Sequence, residues 1–269
     1  MLSKSKIKLL KSLSQKKARE KEGMFLVEGW RAVEEACASL NEIPLLVFAT
    51  DSKKNESYAS ILSAAKKISR ESYEASAKEF DLFADTVTAQ GIAAVVRTFS
   101  NDQEKVLNRL TKNGRSFVLA LDEITDPGNL GTIIRTCDWF GADGILLSRN
   151  CVELYNPKVV RSTVGSIFRL PCIDCSKSER LFPEALMKLK KAGFVLYGAE
   201  VSGSNDLRSL SWPEKAVLVV GNEARGISPE IKAILDHHVA IPRFGKAESL
   251  NAGTAVGIFL SHYSFQKRS

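Results

Sequence analysis

The sequence predicts an α/β protein in two parts, a smaller front αβ unit and a larger, mostly parallel sheet with helices on both faces. Strands in the second half are continuous apolar runs, such as Ser116–Leu121 and Ala216–Val220, which is typical of strands buried on both sides. Amphipathic helices alternate with these strands, as the connections of a parallel sheet require. A polar stretch, Ser100–Gly114, separates the two halves.

The front half contains short apolar strands between helical segments. We assign residues 1–100 to a front domain, 101–114 to a helical linker with no buried face, and 115–269 to a second domain. The elements predicted in the front domain are a helix over 4–20, a strand Met24–Glu28, a helix Gly29–Leu40, a strand Pro44–Ala49, helices Tyr58–Ser69 and Ala77–Phe83, and a strand Gly91–Phe99.

The second half alternates strand and helix more regularly. Because parallel strands end at one edge of their sheet, the loops that follow them meet there, where α/β proteins bind ligands. The predicted strands are Ser116–Leu121, Gly144–Leu147, Phe194–Ala199, Ala216–Val220 and Val239–Pro242, and the predicted helices are Asn129–Phe140, Pro157–Phe168, Glu179–Lys191, Pro229–Asp236 and Ala252–Gln266.

Positive charge is concentrated at the N-terminus. Residues 1–21 hold eight lysines and arginines and one acidic residue. The net charge of this segment therefore equals the formal net charge of +7 for the whole chain. Such a basic arm indicates a polyanionic partner, most often a nucleic acid. Deleting residues 1–21 is therefore expected to weaken RNA binding and to flatten its dependence on salt.

Several protein classes are disfavoured by the sequence. No apolar run reaches the roughly 18 residues of a membrane span, and no signal-peptide core is present. Five cysteines suit a reducing cytoplasm, and the single CxxC, Cys172 and Cys175, lacks the partners of a zinc site, so we expect no metal. Neither GxGxxG nor GxxxxGK[ST] occurs, and the three histidines are interpreted as structural.

Three loops of the second half carry residues suited to chemistry. The first contains Asn129 and Arg135, the second Gly221-Asn222-Glu223, and the third Ser249-Leu250-Asn251. Arg135 suits bidentate binding of a phosphate, although a surface salt bridge is the simpler interpretation. With amides, a carboxylate and cations but no nucleophilic cysteine, the set favours positioning and charge stabilisation over covalent catalysis.

These loops also carry a family resemblance. The segments DPGNLGTIIRTCDWFGADGILL, VLVVGNEARGIS and IPRFGKAESLNAGTAVGIFL resemble, in order and spacing, the three motifs of the SpoU/TrmH family of RNA ribose 2′-O-methyltransferases. The likeness covers about residues 115–269. The front half, with FLVEGWRAVEEA, resembles the ribosomal-protein-L30e-like domain that often precedes the catalytic one.

The resemblance implies a SPOUT fold with a C-terminal trefoil knot, S-adenosylmethionine as cofactor, ribosomal or transfer RNA as substrate, and a homodimer formed through the C-terminal domain with a shared active site. Ala224 and Ala252-Gly253 depart from the residues common in the family and put cofactor affinity in question. The matching positions are Asn129, Arg135, Glu223, Ser249 and Asn251 for catalysis and Gly221, Asn222, Ile241, Leu250 and Asn251 for the cofactor.

Arg135 would lie beside the 2′-hydroxyl. One possibility is that Arg135 is the general base. The other is that it stabilises the developing alkoxide and binds the adjacent phosphate, since a guanidinium keeps its proton at neutral pH. Asn129 and Ser249 would orient the nucleotide or Arg135, and Glu223 would fix the loop or Arg135.

Two other functions stay open from the residues alone. One is an inactive RNA-binding or ribosome-assembly factor with the same fold, against which the intact polar positions argue. The other is an α/β enzyme that acts on a small nucleotide, which the basic arm disfavours.

Overall fold

A computed structural model describes residues 2–50, 56–84, 89–99, 103–112, 114–202 and 205–267. The chain divides into two compact units. The first comprises Met1–Ser100 together with Tyr155–Arg169, and the second comprises Asn101–Leu154 together with Leu170–Ser269. The predicted fold class is confirmed, with a smaller N-terminal sheet and a larger parallel sheet flanked by helices.

The first unit is built on a four-stranded sheet in the order β1-β4-β2-β3. Strand β4 pairs antiparallel with β1 and β2, and β2 pairs parallel with β3. Its elements are α1 (Lys4–Ser12), α2 (Lys16–Glu22), β1 (Met24–Glu28), α3 (Trp30–Ser39), β2 (Ile43–Ala49), α4 (Glu56–Ile68), β3 (Ser69–Ala75), α5 (Ala77–Asp81) and β4 (Ile92–Arg97), to which α8 (Pro157–Thr163) is added from later in the chain.

The second unit is built on a seven-stranded sheet in the order β7-β6-β5-β10-β8-β11-β9, in which the described strands pair parallel throughout. Every residue of β5 is buried, as a strand covered on both faces requires. Its elements are α6 (Gln103–Lys112), β5 (Ser116–Leu121), α7 (Pro127–Phe140), β6 (Gly144–Leu147), β7 (Cys172–Asp174), α9 (Leu181–Lys191), β8 (Val195–Ala199), β9 (Asn205–Asp206), β10 (Lys215–Val220), α10 (Pro229–Lys232), β11 (His237–Ala240) and α11 (Ala252–Lys267). Strand order does not specify how the chain threads, so the knot stays a prediction.

The basic arm is folded into the first unit. The single helix predicted over 4–20 is wrong, because the chain turns after Ser12 and starts α2 at Lys16. Leu10 and Leu13 are fully buried in the core of this unit. Deleting residues 1–21 would therefore remove part of that core as well as charge, so the deletion is a poor test of RNA binding.

Helix α6 is more than a polar linker. The expectation that this stretch has no buried face is wrong, since Leu107 and Leu110 lie in the core of the second unit. Gln103 also donates a hydrogen bond to the carbonyl of Asp174. Residues 101, 102 and 113 of the predicted linker lie outside the described residues.

The helix predicted over Pro157–Phe168 ends early, at Thr163. Val164 and Gly165 then take positive φ values of 48° and 91°, which end an α-helix. A Cβ on Gly165 would lie 2.5 Å from the Cβ of Glu35, so only glycine permits this close approach within the first unit.

Aromatic and charged contacts hold the 155–169 segment in the first unit. The Tyr155 ring lies 4.7 Å from that of Phe25, and the Tyr155 hydroxyl accepts a hydrogen bond from the Phe99 N–H at 3.0 Å. Arg161 approaches the carboxylate of Glu28 at 3.8 Å. The chain consequently passes between the two units three times, after residues 100, 154 and 169.

Other elements differ from prediction at their edges. Strands β3, β7 and β9 were not predicted, and Ser69 begins β3 instead of ending a helix. Helix α10 is only one turn long, and β11 begins at His237, two residues before the predicted start of this strand.

Candidate functional site

A cleft opens where the parallel strands of the second unit end. Its volume is about 540 Å³, within the usual range for a small-molecule site. The loops after β8, β10 and β11 line it, together with one side of α11. Two of the three loops predicted to meet at this edge therefore border the cleft directly, and the third reaches them through hydrogen bonds.

Those hydrogen bonds form a short polar chain across the three loops. The Asn129 side-chain amide donates to Oε1 of Glu223 at 2.6 Å. The Asn251 amide in turn donates to Oδ1 of Asn129 at 2.9 Å. Asn129 is therefore oriented from both sides, and its neighbours Glu223 and Asn251 are exposed to solvent, where a large substrate can reach them.

Local capping interactions explain why these residues meet. The Asp126 carboxylate accepts a hydrogen bond from the Asn129 backbone N–H and caps α7. Oδ1 of Asn251 accepts from the N–H groups of Gly253 and Thr254 and so caps α11. The polar chain consequently lies at two helix N-termini, where the helix dipole favours anionic groups.

Two of the predicted catalytic residues lie apart from this chain. Arg135 is exposed on α7 and has no hydrogen bond or ion pair with any described residue. Ser249 borders the cleft, but it too forms no hydrogen bond within the described part of the chain. The structure thus brings together Asn129, Glu223 and Asn251 and leaves Arg135 and Ser249 free for other partners.

The residues predicted to bind the cofactor are distributed around the cleft. Gly221, Asn222, Ile241 and Leu250 line it, whereas Asn251 belongs to the polar chain at its edge. A Cβ on Gly221 would lie 2.2 Å from the carbonyl carbon of Gly226. Glycine at position 221 therefore lets the loop after β10 close on itself.

The chemistry of the lining suits S-adenosylmethionine. This cofactor combines a flat base, a sulfonium and a zwitterionic amino-acid end. The cleft combines apolar walls with charges of both signs, a composition that matches these three parts. The lining includes Val220, Ile241 and Phe259 on the apolar side and Glu200, Glu223, Lys232 and Arg243 on the charged side.

Glu200 and Lys232 are lining residues that sequence reasoning missed. Their charged atoms are 2.8 Å apart, although the pair is not aligned as a hydrogen bond, and His238 lies 3.3 Å from the other carboxylate oxygen. The feature of the sequence that could have indicated this site is the position of Glu200 directly after the strand that became β8.

The departures from the family pattern are accommodated by the packing. Ala224 is exposed, and its N–H donates to Oδ1 of Asn222. A Cβ on Gly253 would lie 3.3 Å from Thr132, so a glycine here allows α11 to approach α7 closely. Ala224 and Ala252 both line the cleft.

The two cysteines of the CxxC do not form a second reactive centre. Burial raises the pKa of the Cys172 and Cys175 thiols to about 12, so both stay protonated at neutral pH. No group of three or more His, Cys, Asp or Glu residues within the described ranges is arranged to hold a metal ion. None of the described helices is long and apolar enough to cross a membrane.

Comparisons with known proteins agree with this architecture. A model described as the SpoU rRNA Methylase family matches residues 116–261, and one described as an MRM3-like substrate binding domain matches residues 4–94. The 23S rRNA (guanosine(2553)-2′-O)-methyltransferase RlmP of Bacillus subtilis is 31% identical over 257 residues, which cover 96% of this chain and 95% of that protein.

Solved structures are similar over nearly the whole chain. The SpoU methyltransferase AviRb from Streptomyces viridochromogenes, in complex with AdoMet, superposes with a TM-score of 0.87 at 26% identity and 99% coverage of both chains. An AdoMet-bound rRNA methyltransferase from Sinorhizobium meliloti superposes with a TM-score of 0.80 at 28% identity, covering 97% of this chain and 95% of that one.

Proposed function

This chain belongs to the SpoU rRNA methylase family, and on that premise we propose that it transfers a methyl group from S-adenosylmethionine to a ribose 2′-hydroxyl of ribosomal RNA. The observation that carries the proposal is the polar chain of Glu223, Asn129 and Asn251 beside a cleft suited to the cofactor. Its fold is that of the SPOUT methyltransferases.

The cofactor, when bound, supplies an electrophilic methyl group on a sulfonium. Gly221, Asn222, Ile241 and Leu250 would hold it, largely through backbone groups of the loops after β10 and β11. Asn129 and Ser249 would orient the nucleotide at the mouth of the cleft. Glu223 fixes the Asn129 amide by a charge-assisted hydrogen bond, and Asn251 holds the same amide from the other side.

Arg135 would stabilise charge on the nucleophile. A guanidinium keeps its proton at neutral pH, so it acts better as a donor to the developing alkoxide than as a base. The exposed, unpaired state of Arg135 among the described residues leaves its donors available for the 2′-oxygen and the adjacent phosphate. The hydroxyl proton would then pass to water.

Methyl transfer from tritium-labelled S-adenosylmethionine to purified ribosomal and transfer RNA tests the function. We expect label in ribosomal RNA and a 2′-O-methylnucleoside after nuclease digestion and mass spectrometry. Label in transfer RNA alone would show that the substrate is transfer RNA and not ribosomal RNA. A folded protein that binds the cofactor and methylates neither RNA would favour the inactive assembly factor.

The RNA-binding surface that we propose in the first unit is the exposed face of α1. Of the eight basic residues in the arm, Arg19 is buried and donates to the carbonyls of Leu13 and Ser14. Lys6 pairs with Glu71 at 2.7 Å. Three exposed lysines without an ion pair to a described residue follow one helical face at spacings of four and three: Lys4, Lys8 and Lys11.

Replacing Lys4, Lys8 and Lys11 with glutamine should weaken RNA binding and flatten its salt dependence. Each phosphate contact contributes about 0.7 to 0.9 to the slope of log K against log salt, so the slope should fall by about 2. Filter binding between low and moderate salt measures it. The matched control replaces three exposed lysines of the second unit, Lys105, Lys112 and Lys191. An equal loss in both triple variants would contradict a localised surface.

We also propose a homodimer formed through α7 and α11. Helix α11 is apolar on both sides, since Val256, Phe259 and Leu260 are buried while Ile258 and Phe265 are exposed, and such a helix is normally covered. Trp139 on α7 is 83% exposed.

Five free cysteines are in keeping with a cytoplasmic location, which we propose for this protein.

Replacing Phe265 with glutamate should convert the dimer to a monomer, because the charge would be buried in the interface. Light scattering after gel filtration should report a mass near 29.6 kDa for the variant and twice that for the wild type. Leu82→Glu, at an exposed leucine of the first unit, is the control. A wild type of 29.6 kDa would contradict the dimer.

A further inference from the structure

Glu123 lies two residues after Leu121, the buried end of strand β5, and has an unusual backbone. Its φ is 62°, in the left-handed region that glycine and asparagine favour, and Val164 is the one other described non-glycine residue with positive φ. Such a conformation persists only where surrounding contacts hold it. A glutamate at this position therefore indicates that its side chain and backbone make contacts that offset the strain.

Four polar contacts converge on this residue from two other loops, those after β6 and β10. Its carboxylate pairs with Arg225 at 2.6 Å and accepts from the Asn150 amide at 2.7 Å. Its backbone N–H donates to Oγ of Ser148 at 2.8 Å, and its carbonyl accepts from the Asn222 side-chain amide at 2.9 Å. Glu123 thus joins the loops that follow β5, β6 and β10.

The loop after β10 is the one that borders the cofactor cleft. Asn222 and Gly226 hydrogen-bond to each other through their backbones, and Oδ1 of Asn222 accepts from the N–H of Arg225. Glu123 therefore holds this loop at both ends, at Asn222 through its carbonyl and at Arg225 through its carboxylate. The same loop presents Gly221 to the cleft and Glu223 to Asn129.

We propose that Glu123 is a positioning residue that keeps the loop after β10 in the conformation that binds the cofactor. It does not line the cleft itself, so it acts through Arg225 and Asn222. The inference rests on the proposed function, because it takes the occupant of the cleft to be S-adenosylmethionine. Arg225 is 68% exposed while Glu123 is 21% exposed, so solvent screens the pair and the expected effect is moderate.

The test is a double-mutant cycle with Glu123→Gln and Arg225→Met, read by isothermal titration with S-adenosylmethionine and S-adenosylhomocysteine. Each single variant should weaken binding by about 3- to 10-fold, and the double variant should be no weaker than the worse single one. At saturating cofactor, kcat should stay within about twofold of wild type while the KM for the cofactor rises. If the role of Glu123 were purely structural, the variants would have a lower melting temperature and would not show a raised KM with an unchanged kcat.

Glu179→Gln is the matched control, since it breaks the exposed ion pair with Arg149 in the same unit without touching the cleft. If Glu123→Gln fails to fold, Asn150→Ala removes the other hydrogen-bond partner of the Glu123 carboxylate at a residue that does not line the cleft, and it should also weaken cofactor binding. Unchanged affinity in Arg225→Met, or additive losses in the double variant, would overturn the inference. A wild type that binds no cofactor would reject the proposed function, whereas a binding wild type with unaffected variants would reject only the role of Glu123.

Discussion

Replacing Arg135 with alanine should lower the rate of methyl transfer by about 10²- to 10³-fold, the usual effect of removing one donor to a developing oxyanion. Cofactor affinity should hardly change, because Arg135 does not line the cleft. Single-turnover transfer at saturating cofactor and RNA measures the first quantity, and calorimetry measures the second. Arg109→Ala, which removes an exposed arginine from α6, controls for loss of charge. Near wild-type turnover in the Arg135 variant would show that the assigned role is wrong.

The same variant tests whether the active site is shared. Arg135 makes no hydrogen bond or ion pair with the described part of its own chain, as expected if it serves the cleft of a second subunit. A purified heterodimer of an Arg135→Ala subunit and a subunit that cannot bind cofactor would then have one complete site. It should recover about half of the wild-type activity. No recovery would place Arg135 in the cleft of its own subunit.

Replacing Gly221 with alanine should nearly abolish cofactor binding. The Gly221→Ala chain can therefore serve as the subunit of the heterodimer that cannot bind cofactor. The added methyl group would lie 2.2 Å from the Gly226 carbonyl carbon and 2.3 Å from the Ile227 nitrogen. Both neighbours are backbone atoms, so no side-chain rotation relieves the overlap, and the loop after β10 must move. We expect affinity for S-adenosylmethionine to fall by about 100-fold or more, which is roughly 2.7 kcal/mol.

Gly245→Ala is the control for Gly221→Ala. Gly245 lines the same cleft, but a Cβ there would meet no atom within 4 Å. Titration of both variants with S-adenosylmethionine, together with their melting temperatures, separates loss of the cleft from loss of the fold. Equal binding by Gly221→Ala and Gly245→Ala would contradict the close packing of the loop after β10.

The second unit was the more predictable part of the fold because its strands are buried on both faces. Apolar runs such as Ser116–Leu121 match the observed strand boundaries. Strand β3, SRESYEA, has a largely polar sequence at a sheet edge, and β-strand periodicity is weak there. Helix α6 contains two core leucines among charged residues, a narrow apolar stripe that the surrounding charges obscured.

The site could be predicted only where residues follow strand ends in a recognisable order. Asn129, Glu223 and Asn251 lie far apart in the chain, yet each follows a strand of the same parallel sheet, which is why their meeting was expected. The role of Glu123 depends on a positive φ and on partners near residues 150 and 225, neither of which has a local sequence signal. The position of Arg135 outside the cleft likewise depends on helix geometry.

The packing of residues 155–169 within the first unit affects the order of events during synthesis. About 70 residues separate the end of the N-terminal part from the end of this segment. At typical translation speeds of about 5 to 20 residues per second, the N-terminal part waits several seconds for Tyr155 and Phe168 to cover Phe25. A nascent chain stalled near residue 150, which lacks this segment, should therefore be more sensitive to protease than one released at full length. Transplanting the first unit into another protein would require two separate pieces of sequence.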